Sequence, residues 1–387
     1  MDNKKEAMKL HRELRGKFEI KPRAKTDNAE VLALAYTPGV AEACLAIKED
    51  PHEAYNLTRK WNLVGVVTDG TAVLGLGDIG AMAGMPVMEG KSILFKNFAN
   101  VDAFPICLAT KDTEEIIKTV KNLEPTFGGI NLEDIKAPKC FEIEQRLAEE
   151  MDIPVFHDDQ HGTAIVVIAA ILNSLKLVGK KLEDTRIVMS GAGAAGMAIL
   201  HLLTLEGAKN VIFVGRKGII GPDYYDDEYR QKMLSKCNPE NVKGGMAEAL
   251  TGADIFIGVS GPGLVTKEMV EKMNKDAIVF AMANPVPEIY PEEAKKGGAR
   301  ICGTGRSDFP NQVNNVSVFP GLFRGALDVR ARKITDNMKL AAAHAIADAV
   351  ENPIEERVLP DAFDLSVAEK VAKAVADQAR KDGVARE

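Results

Sequence analysis

Thr185-Arg-Ile-Val-Met-Ser-Gly-Ala-Gly-Ala-Ala-Gly-Met-Ala-Ile-Leu-His-Leu-Leu203 joins an apolar run, a glycine turn and a helical pattern without a break, and reads as strand, phosphate loop and helix. Gly191, Gly193 and Gly196 form a G-x-G-x-x-G with Ala192, Ala194 and Ala195 between them. The first glycine permits a tight turn, the second lets backbone approach a pyrophosphate, and the third lets helix pack on strand. The helix N-terminus then faces the anion. A motif of this kind also occurs in ordinary turns. The apolar 187–189 run before it and the Met197, Leu200, Leu203 spacing after it supply the context that dinucleotide binding requires.

The alternation continues beyond the loop, with strands expected at 211–214, 253–259, 277–283 and 300–303, a polar connection over 223–243 and a helix over 266–273. That order gives a doubly wound, Rossmann-type parallel sheet with helices on both faces. Ser260, in Gly258-Val-Ser-Gly-Pro-Gly263, follows one of these strands and falls near the cofactor. Met338, Ala341, Ala345 and Ile346 recur at helical spacing, as do residues over 365–379, so two helices should pack back across the domain. Residues 353–360 between them read as loop. A chain of 387 residues exceeds what one core usually organises. The expected fold class is therefore α/β in two parts: an N-terminal α/β substrate and metal domain over 1–160, then a dinucleotide-binding domain with C-terminal helices over 161–387.

A net charge of −7 without blocks of like charge argues against nucleic-acid or anionic-membrane surfaces and leaves small molecules as partners. The N-terminal residues have no apolar core of signal-peptide length, and no run of membrane-spanning length is expected, which points to the cytoplasm. Five cysteines are scattered singly, so neither a disulfide framework nor a zinc site is suggested and reduced, mostly buried thiols are expected.

In the first half, Tyr36-Thr-Pro-Gly-Val40 breaks a short apolar stretch. A tyrosine before a rigid turn is placed for proton transfer, although a lone tyrosine reads first as a core ring with its hydroxyl tied off. Leu63-Val-Gly-Val-Val-Thr-Asp-Gly-Thr-Ala-Val-Leu-Gly-Leu-Gly77 suggests two strands turning at Asp69-Gly70. A helix expected to start near Gly90 would put Lys91 in its first turn, where the dipole disfavours an ammonium and a neutral lysine can serve as a base. A solvated surface lysine is the other reading. The buried-type strand in Phe127-Gly-Gly-Ile-Asn-Leu-Glu-Asp134 ends in Glu133 and Asp134, and Ile153-Pro-Val-Phe156 ends in His157-Asp158-Asp159. Four carboxylates thus lie beyond the carboxyl ends of two strands, where open α/β sheets hold ligands. Oxygen-only ligation points to Mg²⁺ or Mn²⁺. His157 and His161 share a spacing with the HExxH zinc helix, but a helix beginning only after His161 argues against zinc.

YTPGV, VVTDG, LGLGDIG, the EGK around Lys91, FGGINLED, IPVFHDDQHGT, GAGAAG, ANPVPE and GRSDFPNQVNNVSVFPG, in this order, resemble the signatures of the malic enzyme family in its small bacterial and archaeal form. The resemblance implies oxidative decarboxylation of (S)-malate to pyruvate and CO₂ with NAD or NADP and Mg²⁺ or Mn²⁺. It implies further that Lys91 is the general base, that Tyr36 protonates the enol, that Glu133, Asp134 and Asp159 hold the metal, and that Asp158 orients them. Asn284 and Asn314 resemble the family's substrate-binding amides, with Asn315 the alternative to Asn314, and Asn284 also borders the cofactor. Ala72 stands where larger members carry an arginine that contacts a malate carboxylate, leaving more of the anchoring to the metal and the amides. A homodimer or larger homo-oligomer is implied as well.

The carboxylate that would receive a ribose 2′-hydroxyl is expected about 20 residues past the glycine loop. Gly215 stands there, followed by Arg216 and Lys217, which leaves room and positive charge for a 2′-phosphate and favours NADP over NAD. Two other readings stay open: a 2-hydroxy-acid dehydrogenase that does not decarboxylate, and a catalytically silent sensor of dinucleotide and metabolite.

Overall fold

The computed structural model describes residues 3–73 and 75–387, and its strands form two separate sheets. The first contains β1 (Leu63–Thr68), β2 (Asp102–Cys107), β3 (Gly129–Leu132) and β4 (Val155–His157), ordered β2-β1-β3-β4 and parallel throughout. The second contains β5 (Arg186–Ser190), β6 (Asn210–Gly215), β7 (Gly218–Ile219), β8 (Ile255–Gly258), β9 (Ala277–Ala281) and β10 (Ala299–Thr304). Its order is β10-β9-β8-β5-β6-β7, parallel except for the short antiparallel edge strand β7. The strand order reverses between β1 and β3 in one sheet and between β5 and β8 in the other, and each reversal opens a crevice at the carboxyl ends of the strands.

The expected hairpin over 63–77 does not form. Val64, Val66 and Val67 are all buried, and β1 pairs in parallel with β2 on one side and β3 on the other. A strand covered on both faces is a near-continuous apolar run, and here the local Asp-Gly turn signal lost to long-range pairing. Asp69-Gly70 instead ends the strand and opens a loop. Of the expected second strand, Leu74 lies outside the described residues, and Val73 and Gly77 form only an isolated bridge.

Helix Thr163–Val178, buried along most of its length, leads from the first sheet to the second. Helices Phe319–Asp328, Asp336–Asp348 and Leu365–Lys381 follow β10, and the first of them returns to the N-terminal sheet. Phe95 of helix Ala81–Ala99 meets Phe319 and Phe323 edge-on, with centroids 4.7 and 5.3 Å apart. Edge-to-face rings add to the apolar burial that holds the two segments together. The helix Phe319–Asp328 went unforeseen because its segment begins Val-Phe-Pro-Gly, which reads as a turn. Of the five free cysteines, Cys140 and Cys302 are buried and Cys44 is exposed.

Two helical stretches are, contrary to expectation, long and apolar enough to cross a membrane: Ala29–Glu49 and Asp158–Val178. The second has 72% of its apolar window buried in the protein, which makes it a core helix. The first breaks at Tyr36-Thr-Pro-Gly39 into helices Ala29–Ala35 and Val40–Glu49, and none of its apolar window is buried.

Candidate functional site

Glu133 and Asp134 follow β3, and Asp134 has φ +54, the left-handed region that aspartate tolerates better than most residues. That turn takes the two adjacent side chains out of strand alternation. With Asp159 they offer three carboxylate oxygens within 4.8 Å of one another. The backbone N–H of Asp134 donates to Asp159 Oδ2 at 2.7 Å, which ties the loop after β3 to the turn after β4. A three-carboxylate donor set without sulfur fits a hard divalent cation such as Mg²⁺ or Mn²⁺.

Asp158 and Asp159 sit in a wide, π-type turn, Asp158–Gly162, that runs directly into the helix Thr163–Val178. Helical structure therefore begins before His161, not after it. Turns of this width recur at functional sites because they re-aim side chains. Here a Cβ on Gly162 would lie 2.0 Å from Asp158 Oδ1, so only glycine lets the Asp158 carboxylate fold back over its own turn. His157 remains in β4, outside that turn, and His161 donates to Glu144, so the two histidines do not share one helix face.

Lys91 is not in a first turn. Its helix starts at Ala81, runs through Pro86 and ends at Ala99, held by its buried face of Gly84, Met88, Ser92 and Phe95. Its buried face carries the helix through Gly84 and Pro86, so it begins well before the start expected near Gly90. Lys91 Nζ lies 2.6 Å from Asp158 Oδ2, 3.0 Å from Glu133 Oε1 and 4.1 Å from the centre of the Phe319 ring. Burial works to lower its pKa, but Asp158 and Glu133 overcome that and raise it above the usual lysine value. The helix-dipole argument for a neutral lysine therefore does not hold. Burial, with Asp159 and Asp158 adding to it against Lys91, raises Glu133 well above the usual carboxylate range. One buried ammonium does not balance four carboxylates, and the excess negative charge is what a dication would neutralise.

The amides divide. Asn315 Nδ2 donates to Asp158 Oδ2 at 3.0 Å, whereas Asn314 Oδ1 accepts from Val316 N–H and caps its own turn. Asn284 is exposed beyond β9, and its carbonyl faces Gly75 in the loop after β1, 3.1 Å from where a Cβ would stand. Tyr36 is not the core ring that its sequence suggested. It is 67% exposed and, among the described residues, has no hydrogen bond to the site.

Three residues were missed. Asn131 Nδ2 donates to Glu133 Oε2 at 2.8 Å. Buried Glu144 accepts from His157 N–H at 2.8 Å, Gln160 Nε2 at 2.8 Å and His161 Nε2 at 2.9 Å, and so grips the turn that carries Asp158 and Asp159. Buried Asp69 bonds Thr71 and Lys139 at the end of β1. Asn131 lay inside the quoted FGGINLED, where an amide in an otherwise apolar strand was the available signal. Nothing in the local sequence marks Glu144, one of several acids on helix Lys139–Glu150.

At the other crevice Gly191 follows β5, and Gly193 caps the start of helix Ala194–Glu206. A Cβ on Gly196 would stand 1.9 Å from Gly191 O, which is the close helix-to-strand approach expected of the third glycine. Ala192, Ala194 and Ala195 add no charge. Ser260, after β8, pairs its hydroxyl with that of Ser190 at 2.6 Å. Buried Glu288 accepts from the backbone N–H of Ser260 at 2.8 Å and of Ala283 at 3.0 Å, joining the ends of β8 and β9. Gly215 ends β6, and Arg216 and Lys217 are exposed at the tip of the turn into β7. A Cβ on Gly215 would lie 2.8 Å from an Ile220 methyl, so this glycine is explained by packing rather than by room left for a phosphate.

An acidic crevice beside a buried lysine, joined to a glycine-loop crevice for a dinucleotide, defines a metal-assisted, dinucleotide-dependent class of enzyme. The family models for the malic enzyme N-terminal domain and the malic enzyme NAD binding domain match residues 15–148 and 160–380. The chain is 58% identical to the NAD-dependent malic enzyme of Geobacillus stearothermophilus, over 96% of its own length and 78% of that protein. It is 54% identical to the bifunctional malic/malolactic enzyme of Bacillus subtilis (strain 168), over 100% and 95%. The crystal structure of malic enzyme from Pyrococcus horikoshii Ot3 superposes with a TM-score of 0.96 at 53% identity, covering 99% of this chain and 92% of that one. This chain belongs to the malic enzyme family.

Proposed function

We propose that the protein oxidatively decarboxylates (S)-malate to pyruvate and CO₂ with a nicotinamide cofactor, a function carried by one observation: Lys91 buried against the Glu133, Asp134 and Asp159 cluster. Residues 1–160 supply the metal ligands and Lys91, and 161–387 the cofactor loops together with Asn284, Asn314 and Asn315, with Phe319 reaching back beneath Lys91. Glu133, Asp134 and Asp159 would hold a Mg²⁺ or Mn²⁺. The bound ion supplies electrophilic stabilisation of charge developing on the substrate oxygens, and the nicotinamide supplies the hydride acceptor. Lys91 takes the proton from the C2 hydroxyl. A cation held by Glu133 would compete with Lys91 for one of the two carboxylates that keep the lysine charged. Asp158 and Asn315 fix the position of Lys91, and Tyr36 returns a proton to C3 of the enol. Asn284 and Asn314 bind the substrate carboxylates. The protein works as a cytoplasmic homodimer or larger assembly.

Malate turnover with stoichiometric CO₂ release and Mn²⁺ dependence tests this reading. Undiminished malate oxidation in excess chelator, or oxidation without CO₂, overturns it in favour of a simple 2-hydroxy-acid dehydrogenase. No turnover with saturating malate, both cofactors and Mn²⁺ favours a silent sensor. For the cofactor, Arg216 and Lys217 carry the preference for NADP. Because a side chain at 215 would collide with Ile220, the discriminating variant is Arg216→Ser. The expected result is a roughly tenfold fall in the NADP-to-NAD ratio of kcat/KM, consistent with loss of one charge-assisted contact. An unchanged ratio removes Arg216 from cofactor selection.

A further inference from the structure

Glu288 has no task in the proposed reaction, yet the cofactor sheet is built around it. Its side chain is fully buried. A Cβ on Gly258, the last residue of β8, would stand 2.4 Å from Glu288 Cδ, so only glycine there leaves room for the carboxyl group. Glu288 Oε1 accepts from the backbone N–H of Ser260 at 2.8 Å and from its hydroxyl at 3.4 Å, while Oε2 accepts from the backbone N–H of Ala283 at 3.0 Å. Both oxygens receive hydrogens and neither returns one, which is the pattern of an ionised carboxylate. Among the described residues, no lysine or arginine pairs with it. A buried charge held by dipoles alone is costly, and a cation that arrives with the cofactor would relieve it.

The position identifies that cation. Hydride passes to the cofactor from a substrate held at the acidic crevice, so the nicotinamide belongs where the second sheet meets the first domain. The ends of β8 and β9 are that place: Ala283 precedes Asn284, whose carbonyl faces Gly75 in the loop after β1. The glycine loop adjoins it and fits a dinucleotide, since a Cβ on Gly191 would close the approach to 2.6 Å from Val259 O, next to Ser260. Gly215, Arg216 and Lys217 lie across the β5/β8 reversal, which leaves them the adenosine end. A nicotinamide ring is positively charged when oxidised and neutral once it has accepted the hydride pair. Resting on the dinucleotide reading above, we propose that Glu288 selects the oxidation state of the nicotinamide, its buried charge favouring the cationic, oxidised ring over the neutral, reduced one. The cofactor then enters in the form the carboxylate attracts and leaves in the form it does not hold. Buried as it is, Glu288 acts through its field and not as an acid or base.

Calorimetric titration with NADP⁺ and with NADPH, in the presence of Mn²⁺ and the absence of malate, reads this directly. Glu288→Gln keeps the shape and loses the charge, and the ratio of Kd for NADP⁺ to Kd for NADPH should rise roughly tenfold over wild type, as expected of one unit charge acting through a protein interior. Glu288→Asp keeps the charge, so its ratio should stay within about twofold of wild type even where both forms bind more weakly. A Glu288 that only braces the loops would weaken both forms alike in either variant. An unchanged ratio in Glu288→Gln, or an equal shift of the ratio in Glu288→Asp, therefore overturns the proposal. Should Glu288→Gln fail to fold, the wild type decides: NADP⁺ held at least as tightly as NADPH supports the selection, and NADPH held more tightly overturns it. A wild type that binds neither form, nor NAD⁺ or NADH, refutes the dinucleotide reading itself, and the role of Glu288 falls with it.

Discussion

At the β1/β3 reversal the chain sets Glu133 and Asp134 at a strand end, with Asp158 and Asp159 arriving from β4 and one lysine in their midst. At the β5/β8 reversal it sets Gly191, Ala192 and Gly193, with Glu288 buried beneath and accepting from the backbone N–H groups of Ser260 and Ala283. The topology of the two crevices is the same, and it determines where a ligand goes. What differs is which group supplies the field. Carboxylates make one crevice receptive to a cation, and bare backbone N–H groups at a helix start make the other receptive to an anion. The proposed malate chemistry would use both, one crevice for the ion and the other for the cofactor's pyrophosphate, held apart from those carboxylates.

The largest effect should come from removing the lysine that pairs with Glu133 and Asp158 in the acidic crevice. Lys91→Ala is expected to lower kcat/KM for malate by about 10³-fold, within the range for a positioned acid or base. NADP affinity, measured by fluorescence titration, should stay within about twofold. If cofactor affinity falls as far as turnover does, the two crevices are not independent. Gly196→Ala tests the other side. Its Cβ would collide with Gly191 O at 1.9 Å, so helix and strand must separate and the N–H cradle opens. The cofactor Kd should rise about 100-fold, near 3 kcal/mol at 1.4 kcal/mol per decade, with Mn²⁺ binding unchanged. Unaltered cofactor binding would mean that the loop tolerates the shift and that its close approach is not what positions the pyrophosphate.

The two crevices were not equally legible. The glycine crevice is local: strand, loop and helix lie within 185–203, and each glycine acts on its neighbours in sequence. The acidic crevice is assembled from the ends of three elements. The carboxylates at strand ends could be read one by one, since a strand that ends in adjacent acids is unusual. The grip of Asn131 and Glu144 on them could not, because it depends on packing between helix Lys139–Glu150 and the turn after β4. The setting of Lys91 was misread for a related reason. Gly84, Pro86 and Gly90 disfavour a helix locally, and only burial against the first sheet and Phe319 carries the helix through them. The helix period could not reveal that Lys91 would face two carboxylates.

A smaller effect is expected from the missed amide. Asn131→Ala removes the donor to Glu133 Oε2 and leaves a buried carboxyl oxygen without that partner. Partners of ligating groups typically affect metal affinity by 10–100-fold, so Mn²⁺ should bind about 10-fold more weakly by calorimetry, with the cofactor Kd unchanged. An unchanged Mn²⁺ affinity would show that Glu133 is held by Lys91 alone.

The smallest effect, and the one that reaches beyond the crevice, concerns acid stability. Glu144 is buried and its pKa is lowered below 4.5: burial alone would raise it, but the charge and hydrogen bond of His161, with Lys339 and His157, more than offset that. His161 is lowered below 6.5 by burial, against the attraction of Glu144. Both shifts have the same consequence. Below pH 6.5 the unfolded chain binds a proton at His161 that the native protein resists, and below 4.5 it binds another at Glu144. Glu144 therefore contributes stability that is fully present above pH 4.5 and is lost as pH falls through its folded pKa. Glu144→Gln keeps the shape but loses the charge and one of the acceptors shared by Gln160 and His161. At pH 7 it should cost about 1–3 kcal/mol, a few degrees in Tm. In scanning calorimetry the gap between wild type and variant should be widest at neutral pH and narrow below about pH 4.5, because only the wild type has a Glu144 charge to lose. A gap that stays constant down to pH 4 would mean that Glu144 holds the turn by shape and hydrogen bonding rather than by charge. The acidic crevice would then owe its support to the same kind of uncharged, geometric fit as its glycine counterpart.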